Sequence, residues 1–229
     1  MSRVIRDSGV DMVRYRSLAI AAVLALATAA PLAAQIQEWQ NQWYWGAKGG
    51  VIRYSLPTLG TVSHPQAGGE WLITAQRAAL YVAYSTSFAQ DVDNYAIQQL
   101  NGTAAQASFD AMQRIQIALL VFPWGGHIQP YIGGGFEIET LSNTTVNCTP
   151  LSSAQCTTAT NYMNQHSSGG FALVMGGVQI RFGKLALFGQ AQLSPQGKDF
   201  VLPNSSQSFE VGLRYAFLGA REEDVTTHR

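Results

Sequence analysis

Phe209-Glu210-Val211-Gly212-Leu213-Arg214-Tyr215-Ala216-Phe217 sets five large apolar or aromatic side chains on odd positions, with Glu210, Gly212, Arg214 and Ala216 between them. Alternate side chains of a strand point to opposite faces, so this stretch has one greasy face and one charged face. In an exported chain that division suggests a barrel in a membrane.

The N-terminus supplies the export context. Arg14 and Arg16 precede an apolar run from Leu18 to Ala30, followed by Pro31-Leu32-Ala33-Ala34-Gln35, the three parts of a signal peptide. The run is shorter than the roughly 20 residues of a membrane-crossing helix. Cleavage after Ala34 is therefore expected. Asp7 and Asp11 sit oddly in a positive leader, and Met12 offers a cleaner start than Met1. The chain divides into a signal peptide at 1–34, a barrel at 35–218 and a short polar tail at 219–229. Removing residues 1–34 takes four arginines and two aspartates from 14 basic and 14 acidic residues, leaving a net charge of −2. A chain this close to neutral has no basic field for nucleic acid.

From Gln42 on, apolar-patterned segments alternate with segments rich in Gly, Asn, Ser and Thr, and no 3.6-residue period is sustained. Eight strands are predicted: Trp43–Leu56, Gly69–Thr74, Ala78–Ser85, Asp110–Trp124, Ile128–Leu141, Gly170–Phe182, Leu185–Leu193 and Ser208–Leu218. The break at 75–77 follows from parity, because Trp71 and Ile73 are large on odd numbers whereas Leu80, Val82 and Tyr84 are large on even ones. The connections alternate, long at 57–68, 86–109, 142–169 and 194–207 and short at 75–77, 125–127 and 183–184. Long loops on one side and tight turns on the other fit an all-β, eight-stranded antiparallel up-and-down transmembrane barrel. Within the second loop, Tyr95, Ile97 and Leu100 are spaced for a helical turn.

Sorting each strand by parity gives an apolar set, such as Ile115, Ile117, Leu119 and Val121, and a polar set holding Lys48, Arg114, Arg181 and Arg214 with Glu137, Glu139 and Glu210. Pattern alone leaves open which set lies inside. A soluble periplasmic calycin with an apolar lumen for a hydrophobic ligand is one alternative, and a narrow small-solute channel another. The leader, the loop lengths and the aromatic last strand favour lipid outside. The lumen of eight strands is then filled by side chains, and its charges are expected to pair as a polar plug. Trp39, Trp43, Tyr44, Trp45, Trp71, Trp124 and Phe217 fall near strand ends, as in aromatic girdles at headgroup depth.

Cys148 and Cys156, eight apart in the third long loop, are expected to bridge in an exported chain. With His166 as the nearest further ligand, they make a poor zinc site. Asn143-Thr144-Thr145 fits the glycosylation pattern, which has no meaning in a bacterial outer membrane. His64, His127, His166 and His228 have no serine or carboxylate at a diagnostic spacing, so no catalytic residue, cofactor or metal is expected, and no enzyme.

The leader, the opening strand with Gly46, Gly49 and Gly50, the glycine-rich Tyr131–Phe136 strand and the closing Phe209–Phe217 strand resemble the bacterial outer-membrane β-barrel domain family of the OmpX and opacity-protein type. That resemblance implies an integral outer-membrane protein with both termini periplasmic and variable outer loops for adhesion, masking or envelope stability. Its partners would be outer-membrane lipid, the barrel assembly machinery, for which Phe209, Val211, Leu213, Tyr215 and Phe217 would form the recognition signal, and a surface partner the sequence does not name. The polar tail Arg221–Arg229 departs from the family habit of ending on the aromatic.

Overall fold

In the computed structural model the described residues are 42–219 apart from 89, 98–99, 101–103, 150, 198–199 and 203, so the expected leader, Trp39 and residues 220–229 of the expected tail lie outside them. Strands β1 (Gln42–Leu56), β2 (Gly60–Thr74), β3 (Ala78–Ser87), β6 (Ala111–Val121), β7 (Ile128–Ser142), β9 (Ser168–Phe182), β10 (Leu185–Pro195) and β11 (Ser205–Gly219) form one closed barrel. Every neighbouring pair is antiparallel and follows chain order, and β11 returns to pair with β1, Gly50 opposite Glu210. The fold is an eight-stranded antiparallel up-and-down barrel.

Both ends of the barrel segment share one rim with the turns 75–77, 122–127 and 183–184; this is the turn rim. Gly183, at φ 61°, takes the left-handed conformation that a two-residue turn demands. At the opposite rim the connection 88–110 carries β4 (Asp91–Ala96) and β5 (Ala104–Phe109), and the connection 143–167 carries β8 (Thr145–Val146) and the helix α1 (Ser153–His166). Strands β4, β5 and β8 make a small second sheet. Its apolar face, α1 and residues 200–202 bury a common core with the top of the barrel, including Ile52, Tyr54, Tyr95, Ile97, Phe109, Met163, Phe171 and Leu202. The barrel therefore wears a folded cap.

The second strand starts at Gly60, not Gly69, so the loop expected at 57–68 shrinks to the turn 57–59. Pro65 lies within that expected loop, yet it is tolerated in the strand because of where it sits. Phe88 N donates to Pro65 O at 2.9 Å, beyond the last β2–β3 pair, Gln66 with Ser87. Pro65 thus turns its missing donor toward an edge where β3 has already ended.

The polar parity points inward and the apolar parity outward. Ile115, Ile117, Leu119, Ile132, Phe136, Val211 and Leu213 are exposed, whereas Arg114, Gln116, Glu137, Glu210 and Arg214 are buried. This removes the calycin alternative, which needs an apolar lumen. Inward glycines make room for large neighbours: a Cβ at Gly212 would lie 2.6 Å from the Phe188 ring, and one at Gly177 would lie 2.7 Å from the Tyr131 hydroxyl. Gly212→Leu should accordingly destabilise the barrel by about 1–3 kcal/mol through overpacking. Gly189→Leu, where a Cβ meets nothing nearer than 3.9 Å, should leave stability unchanged. Urea unfolding followed by the loss of the compact band on unboiled gels checks both.

Candidate functional site in the lumen and cap

Three cations and four carboxylates are buried inside the barrel: Lys48, Arg114 and Arg214 with Glu70, Glu137, Glu139 and Glu210. At mid-height the Lys48 ammonium has three donors and uses all of them, to Glu210 Oε2 at 3.0 Å, the Tyr81 hydroxyl at 3.0 Å and Gln116 Oε1 at 3.1 Å. Gln190 and Gln192 also donate to Glu210 Oε2, at 2.6 and 3.0 Å, and Gln66 donates to its other oxygen at 3.0 Å.

Nearer the cap, Arg114 Nη2 donates to Glu137 Oε2 at 2.7 Å and to Gln192 Oε1 at 3.1 Å. Glu139 lies 3.6 Å from Arg114 Nε and accepts from Ser206 Oγ at 2.7 Å and from Gln196 Nε2, which belongs to the cap connection. Nearer the turn rim, Arg214 Nε donates to Glu70, Nη1 donates to Gln179 Oε1 at 2.7 Å, and the guanidinium lies 3.9 Å from the centre of the Phe188 ring. All eight barrel strands contribute at least one member of this network.

Of the seven lumenal residues expected from sequence, Lys48, Arg114, Glu137, Glu139, Glu210 and Arg214 meet here. Arg181 stands apart, half-buried at the turn rim beside the Tyr44 hydroxyl. Glu70, the partner of Arg214, was missed. Its signal was available, because it holds the polar parity between Gly69 and Trp71. Below the charges, Tyr44, Leu72, Leu120, Phe122 and Tyr131 fill the barrel, with the Phe122 and Tyr131 rings 5.3 Å apart. The lumen is a polar layer held between an apolar layer and the cap core.

The cap is fastened by specific contacts. His64 Nε2 on β2 lies 2.9 Å from Asp91 Oδ2 on β4, with its ring stacked on Tyr54, and Thr58 N donates to Asp93 Oδ2 at 2.9 Å. Burial, with the Asp93 and Asp91 carboxylates behind it, pushes the Tyr95 hydroxyl above its ordinary range and keeps it neutral. Cys148 and Cys156 are joined, Cα atoms 5.3 Å apart, tying the β8 loop to the first turn of α1. Ser152 caps that helix and exchanges bonds with Gln155 in a capping box. At its other end His166 stacks on Tyr162, and Val201 N donates to His166 O at 3.1 Å. His127 is exposed at the turn rim. Among the described residues no three His, Cys, Asp or Glu side chains converge as metal ligands.

Among solved structures, Neisserial surface protein A matches 76% of this chain and 97% of its own at a TM-score of 0.52 and 12% identity. The chain has the fold of the small outer-membrane barrels. The N-terminal β-barrel domain of Pseudomonas aeruginosa OprF aligns over 78% of this chain and 98% of its own, with a TM-score of 0.45 and 10% identity. No protein-family model and no curated protein sequence matches the chain.

Within this fold the lumenal ion pairs have a measurable consequence. Lys48→Met should cost about 3–5 kcal/mol, because it strands the Glu210 carboxylate among buried groups. Lys48→Met combined with Glu210→Met should recover most of that loss. A urea midpoint for each variant against the parent reads the difference, and equal midpoints for single and double variants would contradict the pairing.

Proposed function

We propose that the chain is an integral outer-membrane protein whose cap, not its lumen, is the working surface. The outward belt is the observation that carries this. It runs from Trp43 to Val51 on β1 and from Phe209 to Phe217 on β11, about the 9–11 residues a tilted strand needs to cross the hydrocarbon layer. Above it the outward side chains change to Arg53, Ser63, Gln113, Thr140 and Gln207. A belt of this extent is far larger than the apolar patches that soluble monomers expose.

Trp43, Trp45, Trp71 and Phe217 cluster at the turn rim, with Trp45 and Trp71 stacked at 5.9 Å. Such rings suit headgroup depth. On this reading the turn rim and both termini face the periplasm, the cap faces outward, and the exposed aromatic face of β11 serves the assembly machinery before lipid covers it. A lumen filled at three levels supports a non-conducting role, and a disulfide-tied cap supports a structural or adhesive one.

Membrane fractionation combined with planar-bilayer recording tests this function. The expected outcome is outer-membrane enrichment, a gel band that shifts on boiling, and no steady conductance from the inserted protein. Recovery from the periplasm without detergent would contradict the location. Stable open-channel steps would contradict the sealed lumen.

A further inference from the structure

Among the described residues, Arg53 is the only charged side chain that the eight barrel strands turn outward. It stands at the upper edge of the apolar belt, one outward position above Val51, and makes no ion pair among the described residues. A recess of about 160 Å³ opens beside it, lined by Ser55, Thr61, Ser205, Gln207 and Tyr54. Guanidinium, hydroxyl and amide groups there form a donor-rich pocket suited to an anionic, oxygen-rich group.

Directly below, the belt is hollowed. Val51 pairs with Phe209 where Arg53 pairs with Gln207, a step of roughly 7 Å along the strands. From that level a groove of about 510 Å³ runs across the wall, lined by Val178, Gly189, Ala191, Phe209 and Val211. A second hollow of about 360 Å³ shares Ala191 and Phe209 with it and adds Val174 and Leu193. The small residues here are not forced by the chain's own packing. A Cβ would meet nothing nearer than 3.6 Å at Gly176 and 3.9 Å at Gly189, unlike the inward Gly177, where the nearest atom is 2.4 Å away. What glycine supplies at 176 and 189 is depth on the outer face.

We propose that the outer face of β1, β11, β10 and β9 holds one molecule of a membrane lipid whose headgroup bears a phosphate. The phosphate sits on Arg53 and its neighbouring hydroxyls, and an acyl chain lies in the groove between Val178 and Val211. Charge complementarity selects the headgroup, and burial of apolar surface in the hollow supplies the rest. This inference rests on the membrane reading above.

The test is native mass spectrometry of the full folded protein in mild detergent, titrated with phosphatidylglycerol and, separately, with diacylglycerol of the same chain length. A one-to-one phosphatidylglycerol adduct is expected, with diacylglycerol held more weakly. Arg53→Gln should weaken phosphatidylglycerol about tenfold and leave diacylglycerol unchanged, the loss of one charge-assisted contact. Gly189→Leu, which fills the groove, should weaken both. Equal retention of the two lipids by the parent, or phosphatidylglycerol binding indifferent to Arg53→Gln in a variant that still shifts on boiling, would overturn the lipid site and leave the membrane reading intact. A protein that stays dispersed without detergent would remove the membrane reading, and this inference with it.

Discussion

Buried charge governs this barrel. Lys48, Arg114 and Arg214 lie in a lumen that side chains fill, and an unpaired ion there would cost on the order of several kcal/mol. Each must meet a carboxylate, and the carboxylates are on other strands: Glu210 on β11 for Lys48 on β1, Glu137 on β7 for Arg114 on β6, Glu70 on β2 for Arg214 on β11. Glutamines complete the set, since Gln66, Gln116, Gln190 and Gln192 link one pair to the next. These bonds between strands specify register as well as circumference, because a one-residue slip of β1, β2, β6, β7 or β11 would turn its buried charge outward.

The polar layer is closed toward the turn rim by Tyr44, Phe122 and Tyr131 and toward the other rim by the cap core. Glu139 joins the two regions, accepting from Ser206 on β11 and from Gln196 in the cap connection. The cap is thus anchored to the same network that sets the barrel. Its disulfide, its capping box and the His64–Asp91 contact tie described parts of the cap to one another and to β2.

The period of two in the sequence made the barrel legible. Alternation in Phe209–Phe217 and Arg114–Ile117 located strands and both faces, and the parity change between Ile73 and Leu80 found the turn at 75–77. The lumenal residues followed from the same sorting, apart from Glu70, overshadowed by Trp71. What stayed hidden lacked periodicity. The upper half of β2 reads Gly-Thr-Val-Ser-His-Pro-Gln-Ala-Gly, polar on both faces, because it stands above the belt with the cap on one side and water on the other. Tyr95, Ile97 and Leu100 suggested a helical turn; Leu100 N does donate to Ile97 O at 3.0 Å, but Tyr95 belongs to a strand, and all three serve the cap core. Helix α1 was masked by Thr, Asn and Cys, weak helix formers, although Ser152 and Gln155 stood at capping-box spacing.

On the membrane reading, the apolar parity faces hydrocarbon along a defined band. Nitroxide labels at single added cysteines on β6 and its neighbours, with the native Cys148–Cys156 bridge left intact, test it most directly in reconstituted vesicles. High collision with oxygen and low collision with a water-soluble nickel complex are expected at Ile115, Ile117, Leu119 and Phe136, reversing at Gln113 and Thr140. Nickel access at every one of these positions would contradict it.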